Sequence, residues 1–218
     1  IYSDMADWNP SEIFGDRPNT LAYSLYRYLI TDEIWHLART DLGYYDASPG
    51  ELMVSSGRKP YIDVRLSFNS LTPSSLSGKL RHKLLDYYLD KLEANQELHD
   101  KVEHDILFTC YEFGLERRFD ELREYGFSEA ELDELKGSLH DLTNEIILSS
   151  DKIFNDAISK CRTLNERRRR LESQMPAEPE PWDYITTAYI LLSDCRYYGT
   201  LPFSVVARMA FIAKQLLL

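Results

Sequence analysis

The sequence predicts a mainly α-helical protein, an antiparallel helical bundle with one small β-hairpin. Three observations predict this class. Apolar residues recur at helical spacing through most of the chain after Pro73. Residues 52–69 carry the one clear strand signal, arranged around a turn. With 218 residues, of which 44% are apolar, the chain is long enough to bury a substantial core.

The composition is that of a folded, acidic protein. Fifteen tyrosines and three tryptophans argue against disorder, because disordered chains are poor in aromatic residues. The net charge of −11 creates an average field that repels phosphates, so we expect neither a nucleic acid nor a membrane as partner. Three widely spaced cysteines fit buried thiols in a reducing compartment, which predicts a cytoplasmic protein.

The N-terminal region begins with a helix-start signal. Asn9 is expected to cap a short helix, with Pro10 at its first position and Glu12 closing a capping box. Apolar spacing then predicts a helix over residues 20–43, bent near Thr31. The capping interpretation explains these residues structurally, and a binding role is the alternative.

The strand signal predicts a hairpin of Leu52–Ser56 and Tyr61–Asn69. The second strand alternates, and its polar face is expected to comprise Asp63, Arg65, Ser67 and Asn69. If helices covered this face, the polar groups would need partners, which a ligand with hydroxyls or phosphate could supply. A solvent-facing side of the hairpin is the alternative.

The remaining sequence predicts helices. One is expected across Leu98–Phe113, another from a capping box at Ser128, and a third that ends at Gly199. The chain is expected to divide into a motif region with the hairpin (1–73), helical hairpins (74–173), a stiff Pro-rich linker (174–181) and a truncated C-terminal pair of helices (182–218).

Recognised catalytic motifs do not occur in the sequence. It contains no P-loop, no GxGxxG, no HExxH and no GxSxG. His99 with Glu103, and Asp100 with His104, have a spacing that suits two metal ligands, but no third ligand is indicated and we expect no metal site. The basic tract 167–170 could grip an anion, although a solvated helix face is the simpler interpretation.

Three segments together resemble a known family. They are Ser3–Ile13 with Arg17–Pro18 and Leu21–Arg27, then Tyr61–Asn69, and finally Cys195–Phe203 leading into Ala207–Ala213. They resemble the central region of bacterial phosphoenolpyruvate/pyruvate-binding-domain proteins, which are relatives of phosphoenolpyruvate synthase. The resemblance implies a phosphotransferase parent with an ATP-grasp domain before this region and a swivelling phosphohistidine domain after it. ATP and Mg²⁺ would then be cofactors of the parent, and none is expected in this chain.

The resemblance implies that this central domain binds a small-molecule acceptor and is inactive alone, because donor site and phosphate carrier lie in neighbouring domains. The residues expected to bind substrate are Asp7, Asn9, Arg17, Asp63, Arg65, Asn69 and Arg196, since arginines suit anionic groups and carboxylates suit hydroxyls. The catalytic residues are left open. The alternatives are a non-catalytic scaffold that spaces the catalytic domains, and an independent hydrolase or metal enzyme that uses Asp7, Asp63 and His99.

Overall fold

The computed structural model describes residues 1–4, 6 and 9–217. It confirms a mainly α-helical fold with a small antiparallel sheet. The helices are α1 (Pro10–Phe14), α2 (Thr20–Tyr26), α3 (Ile34–Thr40), α4 (Val64–Asn69), α5 (Gly78–Ala94), α6 (Val102–Asp105), α7 (Leu115–Tyr125), α8 (Glu129–Leu148), α9 (Ser150–Gln174), α10 (Pro181–Cys195) and α11 (Leu201–Leu217). The strands are β1 (Tyr2–Ser3), β2 (Met53–Ser56) and β3 (Lys59–Asp63).

The predicted hairpin forms the larger part of the sheet. Strand β3 lies in the centre and pairs antiparallel with both β2 and β1, so that Ile62 faces Met53 on one side and Ser3 on the other. Gly57 and Arg58 both have positive φ, at 60° and 68°. Two successive positive φ values match the type I′ turn that joins tight hairpins.

The second predicted strand is wrong beyond Asp63, where the chain turns into α4. The Asp63 carboxylate accepts a hydrogen bond from the Leu66 amide at 3.1 Å and so caps the new helix. Val64, Phe68 and Leu71 are almost fully buried, and their spacing is helical. The polar strand face therefore does not exist as one surface.

The predicted bend near Thr31 is confirmed as a π-turn. Residues Arg27–Thr31, called the first π-turn, join α2 to α3. The Asp32 amide donates to the Arg27 carbonyl at 2.9 Å, which is the i to i+5 spacing of a π-helix.

The single helix expected over Leu98–Phe113 is wrong, since α6 ends at Asp105. The following segment is irregular, and side chains of neighbouring helices take up its amides. The Tyr88 hydroxyl accepts from Phe108 N at 2.9 Å, and Thr143 Oγ1 accepts from Tyr111 N at 2.8 Å. Such partners replace the helical ladder, because buried amides must be paired.

The expected capping box at Ser128 is confirmed. The Ser128 hydroxyl accepts from the Glu131 amide, and the Glu131 carboxylate accepts from the Ser128 amide at 2.8 Å. Gly126 ends α7 with a φ of 101°, a conformation that favours glycine.

The expected helix end at Gly199 is wrong. The chain passes through a second π-turn (Arg196–Thr200), in which the Leu201 amide donates to the Arg196 carbonyl, and continues as α11. A Cβ atom on Gly199 would lie 3.3 Å from Leu164 Cδ2 of α9. The glycine therefore permits close packing of two helices and does not terminate one.

Helices α9 and α10 form an arm of two packed helices, joined by the Pro-rich residues 175–180. All of α9 is described, and none of its side chains is buried. Arg167 Nε lies 2.8 Å from Asp194 Oδ2 and ties the two helices together. Trp182, at 72% exposure, and Tyr189, at 69%, leave apolar surface along α10.

The buried residues that the structure describes form three apolar clusters. The largest lies between α4, α5, α7 and α8. The second joins α3, the end of α8 and α11, and includes Ala38, Leu142, Ile146, Met209 and Ile212. The third lies under the sheet and includes Trp35, Leu52, Met53 and Ile62. Helix α3 contributes to two of the clusters, so its position is fixed from two sides.

One helix of the described chain is long and apolar enough to cross a membrane by length and composition. It runs through Pro181–Leu217, and 39% of its apolar window is buried within the fold. Core helices of soluble proteins meet the same criterion, so this finding assigns no membrane role.

Candidate functional site

The two π-turns contact each other where α2–α3 meets α10–α11. Each turn contains one residue more than an α-helical turn. Regular α-helical hydrogen bonds are lost there, and the adjacent side chains point in new directions. Single π-turns inside helices are frequent at functional sites. The contact between the two π-turns therefore makes this region of the described chain the first candidate for a functional site.

An open groove of about 640 Å³ lies beside the two turns. Its walls come from the first π-turn, the start of α3, the loop before β2, and the second π-turn. They are formed by Arg27, Asp32, Glu33, His36, Ser48, Pro49, Gly50, Glu51 and Arg196. The volume lies within the range of small-molecule sites.

Arg196 forms one wall of the groove and contacts both Glu33 and Tyr28. Its Nη2 lies 2.8 Å from Glu33 Oε2, and its guanidinium carbon lies 4.7 Å from the centre of the Tyr28 ring. The Tyr197 hydroxyl donates to the same Glu33 oxygen at 2.9 Å. The Nε atom of Arg196 is buried without a partner among the described residues.

Arg27 forms the opposite wall. Its Nε lies 2.7 Å from Asp32 Oδ1, and its Nη2 lies 2.8 Å from Glu51 Oε1. The hydrogen bond to Asp32 holds the pKa of Arg27 above its usual value. Arg27 therefore stays charged and links the first π-turn to the loop before β2.

His36 is the titratable groove residue that lacks an ideal partner. Its side chain is 13% exposed, and its Nδ1 lies 3.6 Å from Asp46 Oδ1, beyond hydrogen-bond distance. No hydrogen-bond partner of Nδ1 is found among the described residues. The Nδ1 atom is buried, so it faces the interior and Asp46 and not the open groove.

The charges of the groove do not favour a free phosphate. The two guanidinium groups already pair with the three carboxylates of the lining, which exceed them by one negative charge. A dianion would have to displace a carboxylate from its arginine. Hydroxyl and amino groups of a ligand can instead donate to the carboxylate oxygens without breaking a pair.

Among the residues expected to bind substrate that the structure describes, Arg196 is the one that lines this groove. Arg65 lies on α4 and pairs with Asp86 of α5 at 2.8 Å, with both side chains about half exposed. A carboxylate oxygen of Asp63 accepts the hydrogen bond from the Leu66 amide that caps α4. Arg17 is exposed in the loop before α2.

The two asparagines expected to bind substrate, Asn9 and Asn69, have side-chain oxygens without a hydrogen-bond partner among the described residues. Asn9 has a left-handed φ of 39° at the start of α1, and its side chain forms no capping hydrogen bond within the described residues. The expected capping box with Glu12 is therefore wrong. The Oδ1 atoms of Asn9 and Asn69 are each buried without a partner among the described residues. Asp7 lies outside the described residues.

The sequence interpretation missed Arg27, Glu33, His36 and Glu51. Arg27 and Glu33 flank the predicted bend at Thr31, and that bend was the one feature of the sequence that could have pointed to them as site residues. The expectation of no metal site concerned His99 with Glu103 and Asp100 with His104, and it stays a prediction. The described residues hold no group of three or more His, Cys, Asp or Glu side chains that could bind a metal ion.

The chain matches no known protein-family model, and no curated protein or solved structure shows significant similarity to it.

Proposed function

We propose that the chain is the acceptor-binding central domain of a phosphoenolpyruvate synthase-like phosphotransferase, and that the groove between the π-turns holds the acceptor. The observation that carries this proposal is the contact between the two π-turns. The second π-turn lies within the third segment of the family resemblance, and the first π-turn begins at Arg27, the last residue of the first segment. The second segment adjoins the first through the pairing of β1 with β3. Three segments far apart in sequence thus form one connected region.

The groove chemistry favours a polar acceptor with hydroxyl groups. Asp32 and Glu33 offer carboxylate oxygens to hydroxyl donors, and Arg196 anchors one of these carboxylates. His36 is the candidate base, because its ring lines the groove and the Asp46 carboxylate lies 3.6 Å from its Nδ1. A base that removes the acceptor proton would assist attack on a phosphoryl group.

ATP and Mg²⁺ are assigned to the neighbouring domains of the parent. This assignment follows from the family resemblance, and the groove arginines, which could otherwise hold the phosphates of a nucleotide, are already paired with carboxylates. The residues of this chain therefore bind and orient the acceptor, and the phosphate donor arrives from elsewhere.

The test is a thermal-shift screen of this chain against hydroxylated polar compounds, because a ligand raises the melting temperature only of a protein that binds it. A hit should lose affinity about tenfold in Arg196→Lys, which keeps the charge but loses the planar fork. Arg168→Lys is the matched control, since Arg168 pairs with Glu172 at 2.6 Å on the exposed arm. Equal affinity in both variants would overturn the assignment of the groove.

The full-length parent gives the second readout. Transfer of phosphate from ATP to the same compound should disappear in His36→Gln and persist in the Arg168→Lys control. Persistence in both would remove His36 as the base. Transfer to water alone, with no acceptor in any screen, would contradict an acceptor-binding role.

A scaffold that spaces the catalytic domains is the second candidate, and the exposed apolar surface of α10 favours it. Trp182, Ile185 and Tyr189 lie on one face of α10 and are each more than half exposed. A scaffold predicts that hydrogen exchange along α10 slows in the full-length parent and that no screened compound shifts the melting temperature. An acceptor-binding domain predicts the shift.

A further inference from the structure

Helices α8 and α9 adjoin without a loop, because Ser149 is the one residue between them. Its backbone angles, φ −92° and ψ −1°, lie in the right-handed helical region, and its carbonyl accepts from the Ile153 amide at 3.0 Å. The exposed faces of the two helices are therefore neighbours on the protein surface.

Four large apolar side chains are exposed at this junction. Leu148 is 86% exposed, and Ile147, Phe154 and Ile158 are between 44% and 49% exposed. We call these four residues the junction patch. Exposed apolar groups gathered in one place are typical of interaction surfaces, whereas single ones are common everywhere. The charges on either side of the junction patch indicate what covers it.

The side of the patch that α8 forms is acidic. Helix α8 contains six Asp or Glu residues and one Lys, which gives it a net charge of −5. Its leucines face the core, and the opposite face carries Asp133 and Asp141 at helical spacing from Leu148. Both aspartates are exposed, and Asp133 forms no ion pair or hydrogen bond with a residue that the structure describes.

The side that α9 forms is basic. Helix α9 contains seven Lys or Arg and four Asp or Glu residues, a net charge of +3 in a protein whose net charge is −11. Leu164 faces Gly199 and Arg167 pairs with Asp194, so this face of α9 packs on its neighbours. Arg162 and Arg169 are each two residues away from one of these contacts, which places them on the opposite, exposed face.

Arg162 and Arg169 have no ion-pair or hydrogen-bond partner within the described part of the chain. Arg167 and Arg168 on the same helix are both paired. The exposed face of α9 therefore presents unpaired positive charge, and the exposed face of α8 presents negative charge. The two kinds of charge flank one apolar patch.

The two flanks also match in length. Asp133 lies 15 residues before Leu148, and Arg169 lies 15 residues after Phe154, which is about 22 Å along each helix. Asp141 and Arg162 lie seven and eight residues from the same ends of the patch. A two-fold axis at the patch therefore brings the acidic flank of one copy onto the basic flank of the other, in matching order.

We infer that this face is an interface between two copies of the chain, in which α8 of each protomer lies antiparallel along α9 of its partner. The two junction patches cover each other. Asp133 pairs with the partner's Arg169 and Asp141 with the partner's Arg162, and the symmetry forms each pair twice. A two-fold interface requires a surface that is complementary to itself, and the order acidic, apolar, basic meets this requirement. The inference does not depend on the acceptor groove.

The first experiment is sedimentation equilibrium of this chain at several protein and salt concentrations. We expect a monomer–dimer equilibrium whose dissociation constant rises with salt, because the ion pairs at the edge of the interface are screened. A monomer at every protein concentration overturns the inference. So does a dimer whose dissociation constant does not rise with salt, since exposed apolar surface elsewhere, such as that of α10, would then hold it together.

Charge reversal locates the interface. Arg169→Glu places like charges opposite each other at two symmetric contacts and should weaken the dimer at least about tenfold. Arg58→Glu, in the exposed turn between β2 and β3, changes the net charge equally and is the matched control. Equal dissociation constants for the two variants contradict the inferred interface.

Mixing two variants tests the pairing itself. Asp133→Arg should also weaken the dimer, but an equal mixture of Asp133→Arg and Arg169→Glu should form a heterodimer, because both contacts then join opposite charges. The double variant Asp133→Arg/Arg169→Glu should restore the homodimer for the same reason. Failure of both to restore association overturns the antiparallel pairing. Where a reversal prevents folding, Asp141→Arg and Arg162→Glu give the same test at the second contact.

Discussion

Arg196 and Glu33 form an ion pair of 2.8 Å that joins the second π-turn to the residue just before α3. The side chain of Arg196 is 11% exposed and that of Glu33 is 39% exposed, so the pair lies at the edge of the interior. Its position beside the groove makes it both a structural tie and a wall of the candidate site.

A double-mutant cycle with Arg196→Met and Glu33→Gln should give a coupling free energy of about 1 kcal/mol, because the bond is charge-assisted but partly screened by solvent. Urea unfolding of the four proteins measures it. If the two losses add within about 0.3 kcal/mol, the pair does not contribute as inferred.

The capping of α4 by Asp63 gives a second prediction. Asp63→Ala removes the oxygen that accepts from the Leu66 amide and should lower the free energy of unfolding by about 1 kcal/mol. Asp63→Asn keeps an acceptor and should cost much less. An equal loss in both variants, measured by chemical denaturation, would indicate that the charge and not the cap matters.

Acid should remove the contribution of Glu131 to stability. Hydrogen bonds from Lys83 and then the Ser128 amide hold the pKa of Glu131 at about 2, below its reference value of 4.5. Folding therefore favours the ionised form, and this contribution is fully present above pH 4.5 and lost as the pH falls through about 2.

The difference in free energy of unfolding between this chain and its Glu131→Gln variant should accordingly shrink as the pH falls from 4.5 to about 2. Denaturation experiments at successive pH values measure it. Glu145→Gln, at an exposed position of the same helix, is the control and should show a much smaller change. A constant difference down to the acid end of the window would argue against the Lys83–Glu131 pair.

Two glycines should respond to alanine with opposite signs. Gly126 has a φ of 101° and open space around its Cα, so Gly126→Ala should destabilise by about 1 kcal/mol through backbone strain alone. Gly137 lies exposed within α8, also with open space, so Gly137→Ala should stabilise by about 0.5–1 kcal/mol. Thermal unfolding of both variants checks the signs, and a loss in both would contradict the helical assignment of Gly137.

Short sequence patterns correctly predicted those parts of the fold that depend on hydrogen bonds between neighbouring residues. The capping box at Ser128, the turn after β2 and the bend near Thr31 are confirmed, because each depends on hydrogen bonds within a few residues. Asp63 shows the limit of such rules. The alternating pattern after it suits a strand, but the same apolar residues also fit a helix, and the aspartate cap selects the helix.

The candidate sites could be predicted only in part. Arg196 was expected to bind substrate, whereas Arg27, Glu33 and His36 were not, since their relation to it arises from the contact between two π-turns distant in sequence. In the sequence, Arg208 is only a charged residue within an apolar segment, and nothing there indicates that it is buried.

The sequence by itself determined that the chain is mainly helical, where α1, α2 and α8 begin, and that it is acidic. Only the tertiary structure decided which side chains share a cavity and which donors stay unpaired. Burial of Arg208 against Tyr44 and Glu103 depends on residues more than a hundred positions away, for which helix periodicity carries no information. Local hydrogen bonding is encoded in short segments, but the burial and pairing of a charge such as that of Arg208 is a property of the packed chain.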